Sequence, residues 1–171
     1  MWHSETQELL KASGLVWTFV QRTYFMQNLL WQAGNIVHDG VCYDELGGPV
    51  AWIDARDVAD VAAEALTGEG HEGKTYGLTG PETLTGDEIA ALLTEATGHT
   101  VTSTPLPPDQ AEAGMIANGM DPKVAGAMVE LASIAPEGYL AGIENTLSEM
   151  LGRPARRVRD FVAENRHAFS G

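Results

Sequence analysis

The octet Gly68-Glu69-Gly70-His71-Glu72-Gly73-Lys74-Thr75 satisfies both the G-x-x-x-x-G-K-[ST] phosphate-loop pattern and the G-x-G-x-x-G dinucleotide pattern. Either chemistry requires a loop that leaves a strand and opens a helix, so that loop N–H groups and the positive helix end converge on phosphate. Here a helical pattern ends at Leu66 to Thr67 and a strand pattern begins at Thr75. The loop therefore receives the negative end of a helix, and Glu69 and Glu72 add charge of the wrong sign. It reads as a helix-to-strand turn. Asp54, Asp57 and Asp60 recur every three residues and could form a carboxylate cluster on one helix face. The plainer reading, an N-cap followed by a solvated acidic face, suits Asp54 at the start of an apolar-periodic run.

The five histidines (His3, His38, His71, His99, His167) show no H-E-x-x-H spacing, and no metal site is expected. No serine sits in a G-x-S-x-G elbow, so acyl transfer has no nucleophile. Arg153, Arg156, Arg157 and Arg159 form the basic cluster and are expected to pair with the chain's own carboxylates or with a partner subunit. The apolar segment from Tyr24 to Ala33 carries Phe25, Met26 and Trp31 around an embedded Asn28. It reads either as a core helix or, together with Trp52, as the wall of a pocket for a small apolar ligand.

The elements that would position these groups alternate. Helical patterns over 3–12, 24–33, 54–66 and 86–97 interleave with strand patterns over 15–20, 50–53, 75–78 and 101–106. Leu15-Val16-Trp17-Thr18-Phe19-Val20 reads as a parallel strand buried on both faces. Asp39-Gly40 interrupts an extended 36–43 stretch as a hairpin turn, and Thr85 with Glu88 matches a capping box. Beyond residue 106 the pattern is helical, ending in a helix marked by Val158, Phe161, Val162 and Phe169.

With 171 residues, 44% of them hydrophobic, the chain is long enough for one core. Ten Lys and Arg against 24 Asp and Glu leave a formal charge of −14, which argues against nucleic acid and against anionic membranes as partners. Cys42 stands alone, the first residues lack the build of a signal peptide, and no apolar run reaches the roughly 20 residues of a membrane span. A cytoplasmic location is expected.

Five segments in order resemble the C-terminal half of an NmrA-like, atypical short-chain dehydrogenase/reductase. They are Ser13-Gly14-Leu15-Val16-Trp17-Thr18, Phe25-Met26-Gln27-Asn28-Leu29-Leu30, Ile53-Asp54-Ala55-Arg56-Asp57-Val58-Ala59, the stretch from Gly70 to Pro81, and Leu151-Gly152-Arg153-Pro154. The resemblance implies a Rossmann-type NAD(P)-binding domain with a small C-terminal substrate subdomain, in a family that includes quinone reductases and redox-sensing regulators. In that family the Gly-rich cofactor loop follows the first strand. The similarity here begins at the helix after the fourth strand, so the chain is expected to be a truncated relative that lacks the nucleotide-binding half. His3 and Gln7 occupy the spacing of the family's catalytic pair, which makes His3 the candidate catalytic residue, the alternative being an exposed histidine at a helix start. Gln21-Arg22 stand where the family usually reads Arg-Pro.

The fold expected is α/β, an incomplete Rossmann-like sheet of the last parallel strands plus a mainly helical substrate subdomain with a small sheet. Residues 1–106 and 107–171 divide it, as one compact unit. The resemblance makes any activity that of an NAD(P)H-dependent oxidoreductase, with no cofactor held by this chain alone. The alternatives are a binding module for a quinone-like apolar ligand, walled by Phe25, Met26, Asn28, Trp31 and Trp52, and one subunit of a split oxidoreductase. The uncovered edge of the 15–20 strand predicts a homodimer or larger homo-oligomer.

Overall fold

A computed structural model describes the chain over residues 2–117 and 119–171, with side chains from residue 4 onward. The order is α1 (Trp2–Ala12), β1 (Thr18–Arg22), a 3-10 helix (Met26–Gln32), α2 (Ala33–Asp39), β2 (Val41–Asp44), α3 (Ala55–Thr67), β3 (Lys74–Leu78), α4 (Gly86–Thr97) and β4 (Thr102–Pro105). Helices α5 (Pro108–Ala117), α6 (Pro122–Ser133), α7 (Thr146–Leu151), α8 (Val158–Glu164) and α9 (Arg166–Ser170) complete it. The strands form two parallel pairs, β1 with β3 (Thr18 opposite Lys74) and β2 with β4 (Val41 opposite Thr102). The fold is thus α/β, mostly helical with small parallel sheets.

Local signals act where expected. Asp54 caps α3 by accepting from the Arg56 N–H at 2.8 Å, and Thr85 and Glu88 close the capping box of α4. The larger core gathers Met26, Leu29, Ile36, Leu93, Phe161 and Phe169, and a smaller one beneath α3 gathers Ile53, Val61, Leu78 and Leu147. Burying a side chain the size of Phe169 contributes about 2–3 kcal/mol.

Three local expectations are corrected. First, β1 is displaced toward its carboxyl end; Leu15 and Val16 lie before the β3 partner begins and stay 63% and 79% exposed, and in the strand Phe19 alone is buried. Second, Asp39-Gly40 makes no hairpin: Gly40, at φ 65°, is the left-handed C-cap of α2, and β2 pairs in parallel with distant β4. The same positive-φ glycine serves either end, so the dipeptide alone does not distinguish them. Third, Val50 and Ile53 make isolated bridges to Leu84 and Phe25 rather than a strand.

The solvated acidic face is also corrected. Asp54 and Asp57 are fully buried. The Arg56 guanidinium donates to both Asp54 oxygens, and Gln27 spans from the 3-10 helix, donating to Asp54 Oδ1 at 2.9 Å and accepting from the Ala55 N–H at 3.0 Å. Burial opposes the charge on Asp54, but the bonds from Arg56 and Gln27 outweigh it and hold the carboxyl below its usual range. Asp57 accepts from Arg153 Nη2 at 2.9 Å, from the Arg156 backbone N–H at 2.8 Å and from Arg156 Nη1. Arg153 and Arg156 also reach Asp60, Arg157 reaches Glu82, and Arg159 reaches Glu95. The basic cluster therefore pairs with the chain's own carboxylates and fixes the α7–α8 connection to α3. No helix among the described residues is long and apolar enough to cross a membrane.

Candidate active site

A cavity of about 200 Å³ opens where the carboxyl ends of three strands meet the α5–α6 pair. Tyr24 comes two residues after β1, Asp44 and Glu45 close β2, and Leu106 follows β4. This is the end of parallel strands at which α/β folds place ligands. Met115 of α5, Met128 of α6 and Pro136 form the opposite wall. An apolar cavity of roughly 150 Å³ takes up benzene, so this one suits a planar system of one to two rings.

The polar groups are few and fixed. Tyr24 is buried, and its carbonyl accepts from the Ile53 N–H at 2.9 Å, which ties the residue to the chain before α3. Its hydroxyl donates to Glu45 Oε1 at 3.2 Å. Burial first, and the neighbouring Glu45 charge second, push the phenol above its ordinary range. Burial also raises Glu45, the bond from Tyr24 works against that, and Asp44 adds to it, so Glu45 keeps its proton to higher pH than a free glutamate. Asp44 Oδ1 is taken up by the N–H groups of Leu46 and Gly47, at 3.2 and 2.9 Å. The Gln32 side chain holds the end of β2 in register, accepting from the Tyr43 N–H at 2.6 Å and donating to the Tyr43 carbonyl at 3.0 Å. No Lys, Arg or His is among the described residues that line the cavity.

The five residues expected to wall a pocket are spread over several places in the fold. Residues 26–32 form a 3-10 helix in place of the expected α-helix, with three residues per turn, so Met26 and Leu29 share the buried face while Trp31 points out, 75% exposed. Met26 is core, and Phe25 turns to the smaller core under the Arg22 guanidinium, 4.4 Å from its ring centroid. Trp52 packs edge-on against Tyr24 with centroids 5.1 Å apart and lines a separate void of about 20 Å³. Asn28 acts on the Tyr24 phenol against the effect of burial, favouring its charged form. Met26 and Trp52 thus share the core with Tyr24, and none of the five lines the cavity of about 200 Å³. The side chain of His3 lies outside the described residues. Tyr24, Glu45, Met115 and Met128 escaped sequence reasoning; polar residues just after strand ends, Tyr24 and Asp44-Glu45, were the signal available.

The Gly68–Thr75 turn does not fit a dinucleotide phosphate. It follows the carboxyl end of α3, enters β3, and exposes Glu69 and Glu72. Among the described residues no group of three or more His, Cys, Asp or Glu gathers to hold a metal ion.

No family model matches the chain. It is 46% identical to an NAD(P)H azoreductase of Xenophilus azovorans over 98% of its own length and 59% of that protein's. It is 30% identical to quinone oxidoreductase 2 of Escherichia coli, over 98% of its length and 58% of that protein's. The crystal structure of an NADPH-dependent quinone oxidoreductase from Escherichia coli superposes with a TM-score of 0.85 at 30% identity, covering 96% of this chain and 60% of that one. The chain spans about three fifths of the length of these relatives. Its homologues are therefore azoreductase- and quinone oxidoreductase-like reductases of the NmrA family.

Proposed function

We propose that these 171 residues form the acceptor-binding portion of an NAD(P)H-dependent reductase of conjugated acceptors, and that the chain does not reduce them unaided. The observation that carries this is the apolar cavity at the strand ends, with the Tyr24–Glu45 pair on its wall, in a chain 46% identical to an azoreductase. Apolar walls from Leu106, Met115 and Met128 exclude water and hold a flat ring by contact area. The Gly68–Thr75 turn presents carboxylates where a nucleotide would need N–H groups, so the hydride donor is assigned to the portion of the relatives outside the match.

Naphthoquinone titrated into the protein should quench tryptophan emission saturably, and Trp52→Phe should remove most of the change, because Trp52 packs edge-on against the cavity's Tyr24. NADH and NADPH should show no micromolar binding by calorimetry. Failure of naphthoquinone to saturate refutes the acceptor site, and micromolar nucleotide affinity refutes the division of labour.

A further inference from the structure

We propose that the α5–α6 hairpin is a lid over the cavity, hinged where Ala135 and Pro136 rest on Gly48, which opens while the rest of the chain stays folded and closes on an occupant. The hairpin is tied to the body at its two ends. Before α5 the Leu106 N–H donates to the Asp44 carbonyl at 3.0 Å, and after α6 the Ala51 N–H donates to the Leu140 carbonyl at 2.8 Å. Between these ties the described hydrogen bonds are local: the Ala111 N–H reaches the Pro107 carbonyl, the Met120 N–H that of Met115, and the Gly138 N–H that of Ala135. Among the described residues, no ion pair involves a residue between 107 and 138. The two helices pack chiefly on each other, and their buried residues are Ala111 and Ala125, each with a single methyl group, whereas α4 buries Ile89, Ala90 and Leu93. Met128, Leu131 and Ala132 touch the margin of the larger core, but Met115, Met128 and Val129 also face the cavity of about 200 Å³, where no protein atoms answer them. A segment held by so few buried contacts opens at lower free energy than the core beneath it.

The hinge is visible at Gly48. A Cβ there would lie 2.6 Å from the Ala135 carbonyl oxygen and 2.8 Å from Pro136 Cα, so the chain leaving α6 can settle on this turn only because the side chain is missing. On the other side Pro105, Pro107 and Pro108 lack N–H groups with which to bind the connection to a neighbour. An occupant that touches both Tyr24 on the body and Met128 on the hairpin joins the two walls, and so favours the closed form.

Hydrogen exchange of the full chain, followed by NMR over a series of low urea concentrations, tests the lid without a ligand. Relative to their unfolded rates, amides of α5 and α6 should exchange at least tenfold faster than those of residues 89–93 in α4, and with a weaker urea dependence. One shared rate and one shared urea dependence for the three helices overturns the lid. Gly48→Ala should speed exchange in α5 and α6 at least tenfold and leave α4 within threefold; no change in the hairpin, or an equal change in α4, overturns the hinge. Closure on an occupant rests on the reading of the cavity as the acceptor site. Naphthoquinone, at a concentration that saturates the tryptophan quenching, should slow exchange in α5 and α6 at least fivefold. Saturable quenching with unchanged exchange in the hairpin overturns closure and leaves the acceptor site standing. Absence of quenching overturns the acceptor site, and the lid is then decided by the exchange of the free protein.

Discussion

Asp57→Asn tests the attachment of α3 to the α7–α8 connection. Asp57 is fully buried and accepts three charge-assisted bonds, two from the Arg153 and Arg156 guanidinium groups and one from the Arg156 N–H. Asparagine fits the space but removes the charge, and its amide sets a donor against one of those three. Hydrogen bonds to charged groups contribute about 1.5–3 kcal/mol each when fully sheltered. The arginines are a third exposed and can turn to Asp60 or to water, so less than half of that sum is expected to be lost. Asp57 also sits at the third position of α3, where a carboxylate gains about 0.3–1 kcal/mol from the helix dipole. The total is about 2–3 kcal/mol. For a chain of this size each kcal/mol moves the melting temperature by roughly 2–4 °C, so a fall of about 4–12 °C is expected in far-UV circular dichroism melts. Asp60→Asn, whose carboxylate is half-exposed, should cost under about 1 kcal/mol. A shift below about 1 °C for Asp57→Asn, or an equal shift for the two variants, refutes the reasoning.

Other outcomes follow from single contacts. A Cβ on Gly80 would lie 1.7 Å from the Trp52 carbonyl oxygen, a backbone atom that cannot rotate away. Gly80→Ala should lower stability by about 3 kcal/mol or more in urea unfolding, and a neutral result would exclude this close approach. Burial pushes the Cys42 thiol up to about 12, with Asp44 and Glu45 adding to it; a disulfide reagent at mildly alkaline pH should label it only after unfolding, and rapid native labelling would contradict its burial. Glu45 has its folded pKa raised, so its contribution is favourable below the unfolded carboxylate range near about 4.3 and is lost as pH rises through the folded value. Glu45→Gln should therefore melt higher than the parent at neutral pH and level with it below about pH 4, and the reverse order would refute the assignment. The uncovered Leu15 and Val16 just before β1 predict self-association by sedimentation equilibrium, with Val16→Lys returning a monomer; a monomeric parent at micromolar concentration would remove this prediction.

Features settled by neighbours in sequence were legible there. The Asp54 cap, the Thr85–Glu88 box, the α3 end at Gly68 and the strand at Thr75–Leu78 depend on spacings of a few residues. Features settled by distant partners were not. The partners of Asp57 lie 96 and 99 positions away, and its spacing with Asp54 and Asp60 is that of any exposed acidic face. Phe25 to Trp31 carried enough apolar bulk for a pocket wall, but the 3-10 winding redistributed it among core, a second core and solvent. Met115 and Met128 have no chemistry by type and become a wall only when α5 and α6 fold over the strand ends.

The two parallel sheets alternate along the chain, with β1 and β2 both completed before either partner, β3 or β4, is reached. Each ladder closes across more than about fifty residues, so no strand pair can form locally and both must wait for the same late stage of assembly. A cut anywhere between Asp44 and Lys74 would leave one fragment with two strands and no partner for either, and the other fragment likewise. Two such fragments are each unfit to hold a sheet but complementary, so structure should return only when they are mixed. For the same reason a recombination crossover within that stretch would have to find matched faces for both sheets at once.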